Sequence, residues 1–186
     1  MIVPIVILVI VVALVAMLVG TYNRLVALRQ NANNAFADID VQLKQRQDLV
    51  PNLVETVKGY AAHERGTLDE VTAARAAAAS AGSVEGRVAA ENALTGALGR
   101  LFAVAEAYPD LKANHNFLQL QSELADIENK LAAARRFFNN AVAEFNAQAQ
   151  RFPAVLFAAA MGFTQRAFFD LGEERAAAVA APQVKF

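Results

Sequence analysis

Residues 114–150 read NHNFLQLQSELADIENKLAAARRFFNNAVAEFNAQAQ, and this stretch decides the fold class. Its apolar side chains fall at Phe117, Leu120, Leu124, Ile127, Leu131, Ala134, Phe138, Ala141 and Phe145, in alternating steps of three and four without a miss. That rhythm lays one apolar stripe along an α-helix and predicts the seam of a long helix packed in a bundle or coiled coil. Asn114 is placed to cap its first turn. The helix is predicted to run to Arg151, about 55 Å at ~1.5 Å per residue. A helix of that length spans a whole domain, so the rest of the chain has to supply its neighbours.

Upstream, Leu25, Leu28, Ala32, Ala35 and Ile39 form one stripe, which Phe36, Ile39 and Leu43 then carry round the helix. Asp48 ahead of Leu49, Val50 and Pro51 predicts a restart. An Asp cap with proline in the first turn loses no hydrogen bond, because those N–H groups have no intrahelical partner. A kink at Pro51 within one very long helix is the alternative reading. From there Val50, Leu53, Val57, Tyr60, Leu68 and Val71 lead into the alanine-rich stretch 73–81, and Ser83 can cap a third helix. That helix runs through Val88, Leu94, Leu98, Leu101 and Val104 to Tyr108, where Pro109 stops it. The prediction is an all-α chain built as an antiparallel up-and-down four-helix bundle over residues 22–152. A short aromatic helical segment and tail follow over residues 153–186.

At the other end, residues 1–20 read MIVPIVILVIVVALVAMLVG, and Arg24 is the first charged side chain. Twenty helical residues span ~30 Å, the thickness of a bilayer's hydrocarbon core, so residues 1–21 read as a transmembrane anchor. A cleaved signal peptide would need basic residues ahead of the apolar run, a shorter run and a small-residue cleavage site, and none is present. Pro4 sits in the first turn, where its missing N–H is harmless. Because the stripe through Leu25 and Leu28 begins within two turns of Gly20, the anchor is predicted to continue into the first bundle helix without a linker. Arg24 and Arg29, with Lys44 and Arg46 further on, favour the cytoplasm for the carboxyl side and the outside for the N-terminus. The expected location is a bacterial inner membrane, crossed once.

Seventeen basic and eighteen acidic residues are interspersed, with no basic run or aromatic platform suited to nucleic acid. Cysteine is absent, which removes disulfides, thiolate metal sites and a cysteine nucleophile together. A bundle can house a di-iron carboxylate site, but neither His63 nor His115 has a glutamate three residues before it. His63-Glu64 begins like a zinc-protease motif, yet Thr67 stands where the second histidine belongs. No phosphate loop or nucleophile elbow occurs. The expectation is therefore no enzyme, no catalytic residue, no cofactor and no metal.

Two constellations remain. Asn23, Asn52, Asn92, Asn139 and Asn146 are spaced along the apolar faces, where asparagine either fixes helix register or meets a ligand or partner. Phe152, Phe157, Phe163, Phe168 and Phe169, with Val155, Leu156 and Met161, give the densest aromatic and apolar run after the anchor. An even helix count brings that run back towards the bilayer. Its readings are a capping helix that closes the bundle, contact with lipid, or contact with a protein partner.

Several ordered blocks stand out along the chain. They are Tyr22-Asn23-Arg24-Leu25-Val26, Asp38-Ile39-Asp40-Val41-Gln42-Leu43-Lys44, and the run from Asp48 through Pro51-Asn52-Leu53 to Gly59-Tyr60. Further on come 107–114 (AYPDLKAN), Ala134-Arg135-Arg136-Phe137-Phe138-Asn139, Phe152-Pro153 and the closing Pro182-Gln183-Val184-Lys185-Phe186. Together these blocks closely resemble the LemA family, with Gln47 standing where that family often has His and Phe138 where Tyr is common. The resemblance implies a bacterial single-pass membrane protein with an antiparallel four-helix bundle, no established enzymatic activity, and distant relatives implicated in building magnetosome membranes. Two functions are compatible with all of this. One is a non-enzymatic scaffold that forms homo-oligomers and organises or shapes its membrane. The other is a tethered binding module that docks a partner membrane protein or protease.

Overall fold

In the computed structural model, which describes residues 2–169 apart from the side chains of residues 84 and 85, the chain is α-helical. The tail expected beyond Phe169, including Pro182 and the 182–186 block, lies outside the described residues. Helix α1 covers Ile2–Lys58, α2 Arg65–Ser80, α3 Val84–Glu106, the single turn α4 Pro109–Lys112, and α5 His115–Gln150. The caps sit where the sequence puts them. Ser83 Oγ accepts from the Gly86 N–H at 3.0 Å, and Asn114 Oδ1 accepts from the Phe117 N–H at 3.0 Å.

The restart at Asp48 does not form: α1 runs through Pro51 to Lys58. Proline inside a helix removes the hydrogen bond to the carbonyl four residues back, here that of Gln47. The structure fills that vacancy from another helix, with Arg75 Nε of α2 donating to the Gln47 carbonyl oxygen at 2.7 Å. The chain turns instead at residues 59–64, where Gly59 and Tyr60 leave the helix. Asp48 pairs with Lys44 on the surface of α1, and Asp40 pairs across to Arg87 of α3 rather than with Lys44.

The described residues fold as two units: residues 2–37 with 136–168, and residues 38–135 with Phe169. In the second, the end of α1, then α2, α3, α4 and the first half of α5 enclose one core. Its fully buried members include Val50, Leu53, Val57, Val71, Leu94, Leu101 and Leu111. Arg46 of α1 reaches both Glu91 and Thr95, and Asp40 reaches Arg87, so α1 and α3 run parallel. Arg46 meets Glu128 while Tyr60, just past the end of α1, meets Asn114, so α5 runs opposite to α1; α2 starts close after α1 and its Arg75 reaches back to Gln47, so α2 runs opposite to it too. This is the up-and-down order expected of helices joined by short turns.

In the first unit, α1 and α5 pack antiparallel around Leu25, Leu28, Phe145 and Ala149, with Ala154, Ala158 and Phe163 of the following segment closing the same cluster. That segment has one helical turn only, the 3₁₀ turn Ala154–Leu156. The remainder to Gly162 is turns, and Gly162 adopts φ +77°, a backbone state that glycine enters without steric penalty. The Phe152–Pro153 peptide is cis. Every residue described ahead of Thr21 is exposed, and no residue of this stretch carries a charge. Helix α1 is long and apolar enough there to cross a membrane.

Candidate functional site

Two places concentrate chemistry, one in each unit. Beside the apolar end of α1, the segment after α5 is pinned by one ring and one backbone clamp. Phe163 is buried, edge-on to Tyr22 at 5.5 Å between centroids and tilted against Phe145 at 6.4 Å. The Arg29 guanidinium lies 4.9 Å from its centroid, a cation–π contact. Three residues on, the Arg166 N–H donates to Asn146 Oδ1 at 2.9 Å while Asn146 Nδ2 donates to the Arg166 carbonyl at 3.0 Å. Asn146 thus reads the backbone as a neighbouring strand would. Arg166 Nη1 also donates to Asn33 Oδ1 at 2.6 Å. Burial, then the nearby Arg29 charge, lowers the Arg166 pKa from its ordinary value.

The aromatic residues singled out from the sequence therefore divide. Phe163 and Phe169 are buried and Phe157 is half-buried. Phe152 is 73% exposed and Phe168 50%, together with Leu156 at 74% and Met161 at 55%. Leu18, Val19 and Tyr22 of α1 with Phe157 and Met161 line an open groove of ≈ 450 Å³ whose walls are almost wholly apolar. The asparagines divide too: Asn23, Asn52 and Asn92 are exposed, Asn139 and Asn146 half-buried. They are spread over both units, and among them Asn146 holds the clamp just described.

The second place was invisible to a search for apolar stripes. Arg46, Gln47, Glu91 and Arg135 are buried inside the four-helix unit. Arg46 donates from Nη1 to Glu91 Oε2 at 3.2 Å and from Nη2 to Thr95 Oγ1 at 2.9 Å, and Gln47 Nε2 donates to Glu91 Oε1 at 3.1 Å. Glu128 joins Arg46 at 3.5 Å and Arg135 at 3.7 Å. Two guanidiniums thus face two carboxylates. Burial raises the Glu91 pKa; Arg46 and the hydrogen bonds from Gln47 and Arg46 oppose the shift, while Glu128 adds to it. The signal that could have found the network is positional. Arg46 falls between Leu43 and Val50 in the same three-four rhythm, and Arg135 between Leu131 and Phe138.

Among the described residues no three of His, Cys, Asp and Glu converge as metal ligands. His63 and His115 are both exposed. Neither place offers a nucleophile with a base beside it. What they offer is apolar contact at the end of a helix long and apolar enough to cross a membrane, and a fixed polar register inside a bundle.

Comparison with known proteins finds relatives along most of the chain. The magnetosome protein MamQ 1 of Paramagnetospirillum magneticum is 25% identical over 186 residues, an alignment taking in 86% of this chain and 68% of the relative. MamQ of Magnetospirillum gryphiswaldense is 26% identical over 184 residues, covering 85% of this chain and 68% of the relative. Protein LemA of Metamycoplasma hominis is 28% identical over 139 residues, covering 72% of this chain and 62% of the relative. Residues 35–186 match the model of the LemA family, so an apolar helix flowing into a helical bundle is here the architecture of a membrane-associated member of the LemA family.

Proposed function

We propose that this protein is a non-enzymatic, membrane-anchored scaffold that self-associates, so that many copies on one membrane face organise or shape it. One observation carries the reading: the apolar stretch and the soluble bundle share a single helix, α1, uninterrupted from Ile2 to Lys58. An enzyme on a tether needs slack to find substrate, whereas a scaffold needs its body held at a fixed angle to the membrane. Similarity to proteins named as magnetosome proteins supports it. Exposed apolar side chains on the helices, Val41 and Phe137, supply contact area for further copies. The membrane is a bacterial inner membrane with the bundle on the cytoplasmic side, a placement supported by Arg24 and Arg29 directly after the span.

Fluorescently tagged full-length chain, reconstituted at low density into planar bilayers, tests this by counting photobleaching steps per spot. Spots of several steps are expected. A population of single-step spots that persists as density rises would overturn self-association. Crosslinking in cells that recovers a different membrane protein rather than copies of this chain would favour the docking-module reading in its place.

A further inference from the structure

The fourteen residues from Phe152 to Gln165 hold no charged side chain, and arginine stands at each end, Arg151 and Arg166. Outside the N-terminal span this is an unusual run for an exposed surface, because soluble surfaces intersperse charges. Its burial pattern is one-sided. Ala154, Ala158 and Phe163 turn inward onto Leu25, Leu28 and Phe145. Phe152, Val155, Leu156 and Met161 turn outward with more than half their surface free. The inward set already fixes the segment, so the outward set is not needed to close the fold.

The position on α1 identifies what covers it. The apolar groove beside the segment is walled on one side by Leu18 and Val19, residues of the charge-free stretch itself, and by Tyr22 one turn on. Tyrosine at the end of a span favours the level of the lipid headgroups. Leu18 lies about 9 Å along the helix from Arg24, at ~1.5 Å per residue. If α1 crosses the bilayer, Phe157 and Met161, which complete the groove, stand at its boundary. Basic residues dominate this unit: Arg24, Arg29, Arg136, Arg151 and Arg166 against Glu144 as its sole acidic side chain. An apolar face rimmed by arginine suits an anionic bilayer surface.

We propose that residues 152–161 form a second membrane contact, seated in the leaflet from which α1 emerges. Phe152, Leu156 and Met161 enter the headgroup–acyl boundary, and lipid acyl chain fills the groove against Leu18 and Val19. The chain would then hold its membrane at two points, a span and an interfacial wedge. The inference rests on α1 spanning the bilayer and not on self-association.

The absence of cysteine makes the test direct. Nitroxide labels are attached to single cysteines replacing Phe152, Leu156 or Met161 in the full chain, reconstituted in vesicles of phosphatidylcholine and phosphatidylglycerol. Ile10→Cys marks the span and Leu118→Cys the exposed surface of the four-helix unit. Accessibility to oxygen and to a water-soluble nickel chelate is read by power saturation. The expected result is loss of nickel accessibility at 152, 156 and 161, approaching that at Ile10, with oxygen accessibility retained. Nickel accessibility equal to that at Leu118, while Ile10 stays protected, would overturn the wedge and leave the span intact. Nickel access at Ile10 as well would overturn the span itself. Protection at 156 accompanied by spin–spin broadening that vanishes on dilution with unlabelled protein would assign the face to a second copy, and would also overturn the proposal.

Discussion

Arg46 and Glu91 occupy core positions that an apolar residue would fill at no electrostatic cost. A buried pair of this kind is weak support for stability but is strongly destabilising when halved, because the surviving charge is left without its counterion. Glu91→Leu is expected to cost ~3–5 kcal/mol in denaturant unfolding of the chain in micelles. The double variant Arg46→Leu/Glu91→Leu should lose less than Glu91→Leu alone, leaving Glu128 to Arg135. A double variant that simply adds the two single losses would show that the pair is not coupled. The pH dependence has a definite sign. The Glu91 carboxyl is raised above its ordinary 4.5 when folded, so the folded chain binds this proton more tightly than the unfolded one. Its contribution is therefore greatest in acid and declines as pH rises from about 4.5 through the raised value. Stability relative to Glu91→Gln should grow as pH falls across that window; a difference that shrinks on acidification would contradict the burial account. These residues are not legible as core because a charged side chain is almost never fully buried unless paired, and pairing is not visible in the sequence. Nothing local in the sequence says that Gln47, Thr95 and Glu128 lie close enough to satisfy them.

At the scale of the element, Pro51 shows where local rules stop. Asp48 followed by Leu-Val-Pro is a good helix start, and every local preference allowed a break there. The helix continues because its orphaned Gln47 carbonyl is met by Arg75, a residue 28 positions away on the next helix. That compensation makes a testable coupling. Arg75→Ala should cost ~1–3 kcal/mol by leaving a carbonyl unsatisfied, and much less in a Pro51→Ala background, where the helix's own N–H meets that carbonyl. Equal costs in the two backgrounds would show that Arg75 acts elsewhere. By contrast, the caps Ser83 and Asn114 and the stripes through Leu25 to Leu43 and Phe117 to Leu131 were legible because period and capping are local properties. Beyond Leu131 the buried positions become Arg135, Phe138, Val142, Phe145 and Ala149. The predicted Ala134 and Ala141 are only half-buried, since a 3.6-residue helix drifts against a strict three-four count.

For the whole molecule, the sequence told where the protein sits more clearly than what it does. An apolar run of span length is legible anywhere, whereas the partition of five aromatic residues into rivet and exposed face depends on how the chain after α5 folds back. Orientation is open to a direct check. With no native cysteine, Leu118→Cys should react with a membrane-impermeant maleimide only after sealed spheroplasts are opened, and reaction in sealed ones would place the bundle outside. The central claim is that anchor and bundle are one helix. Amide hydrogen exchange of the full chain in lipid nanodiscs, read at Met17 to Leu28, tests it most directly. The account predicts unbroken protection across Gly20, Thr21, Tyr22, Asn23 and Arg24, with exchange slowed at least about a thousandfold, an opening free energy of ~4 kcal/mol. Fast exchange confined to those five residues would make the span a flexible tether and contradict it.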